Sequence, residues 1–166
     1  MTTLNLEHHD NLTAGAASRI GTAVLATDRS LHLTILRITL GVVMLPHGLQ
    51  KTIGAFGGYG YEGTMGWFAS VGIPSILGFL VIAAESAGAL ALIAGFTTRI
   101  AAFGIASIMA VAAALFHAPN GIFMNWSGQQ KGEGVEYHLL ALAMAAVLII
   151  GGGGRFSLDR LITRNR

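Results

Sequence analysis

Between Ile73 and Ala94 run 22 residues that are almost wholly apolar and contain a single charge, Glu85. A helix of about 20 residues, rising about 1.5 Å per residue, covers the roughly 30 Å hydrocarbon core of a bilayer. The segment therefore reads as a membrane span with a carboxylate near its midplane. Ionisable groups at that depth are costly, need a partner and usually mark a working site.

Composition agrees with a membrane setting. Only 11% of the 166 residues are charged and 53% are hydrophobic, against about 25% charged in a soluble domain. This length accommodates one compact bundle. Cysteine is absent, which removes disulfides, thiolate metal sites, iron–sulfur clusters and dithiol relays. A net charge of +2 is too small to imply a nucleic-acid partner. The expected partner is the lipid bilayer.

Four apolar segments stand out, at about 31–51, 73–94, 99–116 and 135–150. They predict an all-α fold, an integral membrane four-helix bundle over residues 31–151. Pro46 interrupts the first span and frees a carbonyl near Val42, where a kink is expected unless neighbours re-satisfy it. Pro74 opens the second at a first-turn position, and His117-Ala118-Pro119-Asn120-Gly121 closes the third as a turn. Residues 54–72, rich in glycine and aromatics, read as an interfacial loop anchored by Tyr and Trp. No strand precedes that stretch and no GKS or GKT pattern occurs, which excludes a phosphate cradle.

Polar residues 1–30 lack the basic and apolar regions of a secretory signal. They read as a cytoplasmic tail, in which Ala14 to Ala26 would form at most a weak surface helix. Residues 152–166 read as a second, basic tail. An even number of spans puts both termini on one side, which then holds Arg19, Arg29, Arg99, Arg155, Arg160, Arg164 and Arg166. The opposite side holds only Lys51 and Lys131. By the positive-inside rule both N and C termini are cytoplasmic, and the chain is expected in a bacterial-type inner (plasma) membrane. Small residues four apart (Ala84 and Gly88, Ala87 and Ala91, Ala110 and Ala114, Ala141 and Ala145) suit close helix packing and would also support a homo-oligomer.

Two constellations carry chemistry. Arg37 and Glu85 lie on consecutive antiparallel spans at depths about one helical turn, roughly 5 Å, apart. They are expected to form a buried ion pair, either as a structural clamp or as the floor of a ligand pocket. At the outer side His47 and Lys51 are four residues apart on one helical face, His117 ends the third span, and Glu136 and His138 open the fourth. Two residues apart on a helix point about 200° from each other, so only one of Glu136 and His138 faces the bundle axis. His47, His117 and His138 are the candidates for a metal or haem, but they lack the tight spacing of HExxH, and no metal is assigned. Arg37, His47, Lys51, Glu85, Glu136 and His138 better suit a quinone, with donors from His47 and Lys51 to a carbonyl and proton transfer by His138 or Glu136. The methionines do not form a copper-relay series, and Asn125-Trp126-Ser127 reads as an interface anchor.

Leu36-Arg37-Ile38-Thr39-Leu40-Gly41 and Pro46-His47-Gly48-Leu49-Gln50-Lys51, then Phe68 to Pro74 leading into Glu85, Gly88, Leu92, Gly95, Thr98 and Arg99, then Glu136 and Gly152 to Asp159, together resemble the small four-helix membrane proteins called DoxX-like. The resemblance covers about residues 31–160. It implies a four-helix integral membrane protein whose recurring Arg, His, Lys and Glu fall here on Arg37, His47, Lys51 and Glu85. Some relatives are subunits of a thiosulfate:quinone oxidoreductase, others are linked to quinone detoxification or oxidative stress, and others accompany metal-handling proteins. A role in quinone-linked redox chemistry is expected, with quinone as the suspected cofactor. The electron donor would sit on a redox partner subunit, because this chain has no redox-cofactor motif. The alternatives are a non-catalytic binding or transport protein for a small molecule or metal, and an assembly scaffold.

Overall fold

The computed structural model describes residues 21–164, and among these every regular element is helical. Residues 1–20 of the expected N-terminal tail, and Asn165 and Arg166 of the C-terminal one, lie outside the described residues. The main elements are α1 (Leu31–Thr52), α2 (Gly60–Ser70), α3 (Ser75–Ala94), α4 (Thr98–Asn120), α5 (Glu136–Gly151) and α6 (Leu158–Arg164). Three of them, α1, α3 and α4, are long and apolar enough to cross a membrane; α5 is a shorter apolar helix of 16 residues.

Local chemistry sets the helix ends. Ser30 caps α1 by accepting from the His32 amide at 3.2 Å, and the helix continues through Pro46. Helix α3 stops because Gly95 adopts φ 72°. The Phe96 amide then bonds Ala91 O and the Gly95 amide bonds Leu92 O, a Schellman closure of the last turn. Two π-helical turns interrupt regular winding, Ala84–Gly88 in α3 and Ala113–His117 in α4. Such turns recur at functional sites, because the inserted residue re-aims its neighbours.

Helices α1, α3, α4 and α5 pack in a ring, with α1 between α3 and α5 and α4 closing the other side. The core is Leu40, Met44, Ala89, Leu92, Ala102, Ile105, Ala145 and Leu148. Glycines set the α1–α3 seam. A Cβ on Gly41 would stand 2.8 Å from Ala89 O, and one on Gly48 would stand 2.5 Å from Glu85 O, so α1 rests directly on the backbone of α3. Close approach of this kind holds helices together in lipid, where apolar burial gives no net drive between them. Isoleucine, leucine, valine and phenylalanine side chains cover the outside of the ring.

Two segments read as irregular are ordered around this bundle. Within 54–72, α2 buries Thr64 and Phe68, with Phe68 packed at Gly78 of α3. Residues 152–154 are buried and Asp159 of α6 is 1% exposed. The start of the segment read as a tail is thus tucked into the end of the bundle that carries Arg37, called here the arginine end. The opposite end carries Lys51 and is called the lysine end.

Candidate functional site

Arg37 and Glu85 do not pair. Arg37, 1% exposed, donates from Nε to Gly153 O at 2.7 Å and from Nη1 to Leu92 O at 2.7 Å and Ile93 O at 2.5 Å; Nη2 donates to Phe156 O. Its partners are the last carbonyls of α3 and the glycine segment after α5. Glu85 instead meets Lys51, with Nζ 2.5 Å from Oε2. The physical reason is side-chain direction. Helical side chains lean toward their own N-terminus, so on antiparallel helices two groups at similar depth lean apart. Arg37 falls toward the arginine end and Glu85 toward the lysine end. Lys51, in the last turn of α1, leans back into the bundle and reaches the carboxylate.

Several neighbours complete the Lys51–Glu85 site. Met44, His47, Gly48 and Lys51 share one face of α1 at i, i+3, i+4 and i+7. Gly48 sits against the π turn that carries Glu85. His47 lies in the electrostatic field of both Lys51 and Glu85. Across from it Tyr137 of α5 donates its hydroxyl to Met44 Sδ at 3.2 Å, and its ring centroid is 6.0 Å from that of His47. Tyr137 also stands edge-on to His138 at 5.5 Å, and the His138 and His117 ring centroids lie 4.1 Å apart with the rings tilted by 44°. His138 is 5% exposed, and its Nδ1 has no hydrogen-bond partner among the described residues. His117 Nδ1 lies 2.9 Å from Glu133 O; it therefore donates there, which leaves Nε2 as an acceptor.

The other expected members are placed differently. Glu136 points away from the cluster, its Oε1 accepting from the Met124 amide at 2.9 Å and from Trp126 Nε1 at 3.1 Å. It fastens the loop before α5, as expected if only one of Glu136 and His138 faces inward. The three histidines share the lysine end, but the Tyr137 ring neighbours both His47 and His138, and no group of three His, Asp or Glu among the described residues converges to hold a metal. Sequence reasoning passed over Tyr137 and took Met44 for a packing residue. The signal for Met44 was its i, i+7 spacing to Lys51; Tyr137, between two polar residues, carried none.

The arrangement defines a multi-pass helical membrane protein with a charged, histidine-lined cluster at one end of its bundle. Comparison with known proteins names the group: the DoxX family model matches residues 32–118, and the chain belongs to the DoxX family. A Bacillus subtilis (strain 168) protein named "Putative oxidoreductase CatD" is 28% identical over 134 residues, covering 80% of this chain and 87% of that one. The Escherichia coli (strain K12) "Inner membrane protein YqjF" is 30% identical over 130 residues, covering 78% and 91%. No solved structure gives a significant match. Family and hydropathy together place the chain in the bacterial inner membrane as a multi-pass protein.

Proposed function

We propose that this protein binds a quinone headgroup at the lysine end of its bundle and serves quinone-linked redox chemistry in the membrane. The observation that carries the reading is the Lys51–Glu85 ion pair, seated on a π turn inside an apolar bundle, with His47 one helical turn from Lys51 and His138 on the far side of Tyr137. A quinone needs an apolar route for its tail, a hydrogen-bond donor for each carbonyl and a group that exchanges protons. Lys51 and His47 supply the donors. Glu85 and His138 supply the proton exchange, and the name of the Bacillus subtilis relative points to the same type of chemistry. Electrons come from a partner subunit, and small-residue helix faces suit a second copy of the chain.

Orientation belongs to the same reading. With α5 as a fourth, short span, both termini lie in the cytoplasm, where the arginine end collects Arg99, Arg155, Arg160 and Arg164. The quinone site then faces the outer half of the bilayer. Purification in mild detergent followed by mass spectrometry of the organic extract is the test. A bound quinone is expected in the wild type, with much less in the Lys51→Met, Glu85→Leu double variant. No quinone in the extract, together with no saturable binding of a short-chain quinone, would overturn the proposal.

A further inference from the structure

Glu85 is 4% exposed and lies behind Lys51. A carboxylate that exchanges protons from such a position needs a path to water, and the residues between it and the surface of the lysine end are not a random selection. Proceeding inward from the loop before α5, they are His117, His138, Tyr137 and His47, each ring neighbouring the next at centroid distances of 4.1, 5.5 and 6.0 Å. His47 then lies one helical turn from Lys51 on α1, in the electrostatic field of Lys51 and Glu85. Three of these six titratable groups, with Lys51 and Glu85 included, are thus imidazoles, each of which can accept a proton on one ring nitrogen and give one from the other.

Two observations separate this series from histidines that merely fill space. His138 is 95% buried by its 5% exposure, and a buried ring nitrogen without a partner costs stability that a structural residue would avoid. Its Nδ1 is in that state. Second, the series is bounded at both ends by a π turn: Glu85 lies in the one at Ala84–Gly88, and His117 is the last residue of the one at Ala113–His117. An extra residue in each helix re-aims the two polar groups that terminate the row.

We infer that His117 and His138 form a proton port that connects Glu85, through His47, to water at the lysine end. A proton taken up by His117 at Nε2 passes to His138 and then to His47. It finally protonates the Glu85 carboxylate, leaving Lys51 as the ammonium; release runs in reverse. Steps longer than a hydrogen bond are bridged by water. His117 is held for this role by Glu133 O, which fixes the tautomer that presents Nε2. The titratable or charged groups facing the row are Lys51 and His47 on α1, Glu85 on α3, His117 on α4, and Tyr137 with His138 on α5; Glu136 is committed to the loop. The port deepens the quinone proposal by assigning its proton side, but it is a property of the protein alone and is tested without quinone.

The test is time-resolved infrared spectroscopy of the full chain in lipid nanodiscs after a rapid drop in pH. The protonated carboxyl band of Glu85 is identified by its loss in Glu85→Gln. In His138→Leu and His117→Ala the band is expected to reach the wild-type amplitude about a hundredfold more slowly, a typical contribution for a positioned acid–base group. Added imidazole should restore the rate in His117→Ala, which a merely structural role would not predict. His117→Gln keeps the donor to Glu133 O and should be as slow as His117→Ala. Wild-type rates in both variants, failure of imidazole to rescue, or no Glu85 band in the wild type would each overturn the port. Quinone extraction reports on the headgroup site alone, so the two readings can fail separately.

Discussion

The arginine end and the lysine end both bury charge, and they resolve it in opposite ways. At the arginine end the buried and half-buried charges meet backbone. Arg37 saturates four carbonyls, Arg99 donates to Ala26 O and Ile149 O, and Asp159 accepts from the Thr97 and Thr98 amides at 2.6 and 2.9 Å. These groups finish helix ends that would otherwise expose orphan carbonyls and amides. At the lysine end the ion pair joins two side chains, His138 Nδ1 has no hydrogen-bond partner among the described residues, and the helices carry π turns. A cluster whose charges are matched to backbone holds a fold together, whereas ionisable side chains that face one another can take part in chemistry.

Removing Arg37 should have the largest effect. Arg37→Leu strands four acceptors at about 1–3 kcal/mol for each one that stays unsatisfied, against a total stability on the order of 5–15 kcal/mol. Little monodisperse protein is expected on size-exclusion chromatography, and Arg37→Lys should recover only part, because an ammonium cannot fork to spread acceptors. A normal yield of Arg37→Leu would erase the distinction between the two ends.

Breaking the lysine-end pair should come next. Glu85→Ala and Glu85→Leu leave an unpartnered ammonium and should lower the yield, by less than the roughly 3–5 kcal/mol of a fully buried pair, since Lys51 keeps 26% exposure. Adding Lys51→Met to Glu85→Leu should restore the yield without restoring quinone binding. If the double variant still binds quinone, the lysine end is structural too.

Gly48→Ala sharpens the contrast on the backbone side. Its new Cβ meets Glu85 O at 2.5 Å, which pushes α1 off the π turn and should cost about 1–3 kcal/mol, read as a lower thermal midpoint together with weaker quinone binding. Unchanged binding at a lowered midpoint would separate the seam from the site. The smallest effect on quinone binding belongs to Asp159→Ala, which strands the Thr97 and Thr98 amides at about 1–3 kcal/mol for each one that stays unsatisfied. It should lower the midpoint while quinone retention stays at the wild-type level.

Much of this organisation was legible along the chain. The apolar runs found the three long helices and the shorter α5 within a few residues, and the charges inside them flagged Arg37, Glu85, His47 and Lys51. Residues 54–72 hid α2, because glycine at Gly60, Gly63 and Gly66 weakens any helical signal; packing of Phe68 at Gly78 supplies what propensity lacks. Segment 152–164 looked like a free basic tail, since its polar groups are matched to helix ends distant in sequence.

Hydropathy answers to a one-dimensional rule: enough consecutive apolar residues must cover the hydrocarbon core, and no folding detail changes that count. Membrane residence and the helical class could therefore be read from the order of residues. Which cation met Glu85 could not, because partner choice depends on the lean of each side chain, the antiparallel run of α1 and α3, and the extra residue in the π turn. Those quantities exist only once the helices have packed, and they assign Arg37 to the backbone and Lys51 to the carboxylate.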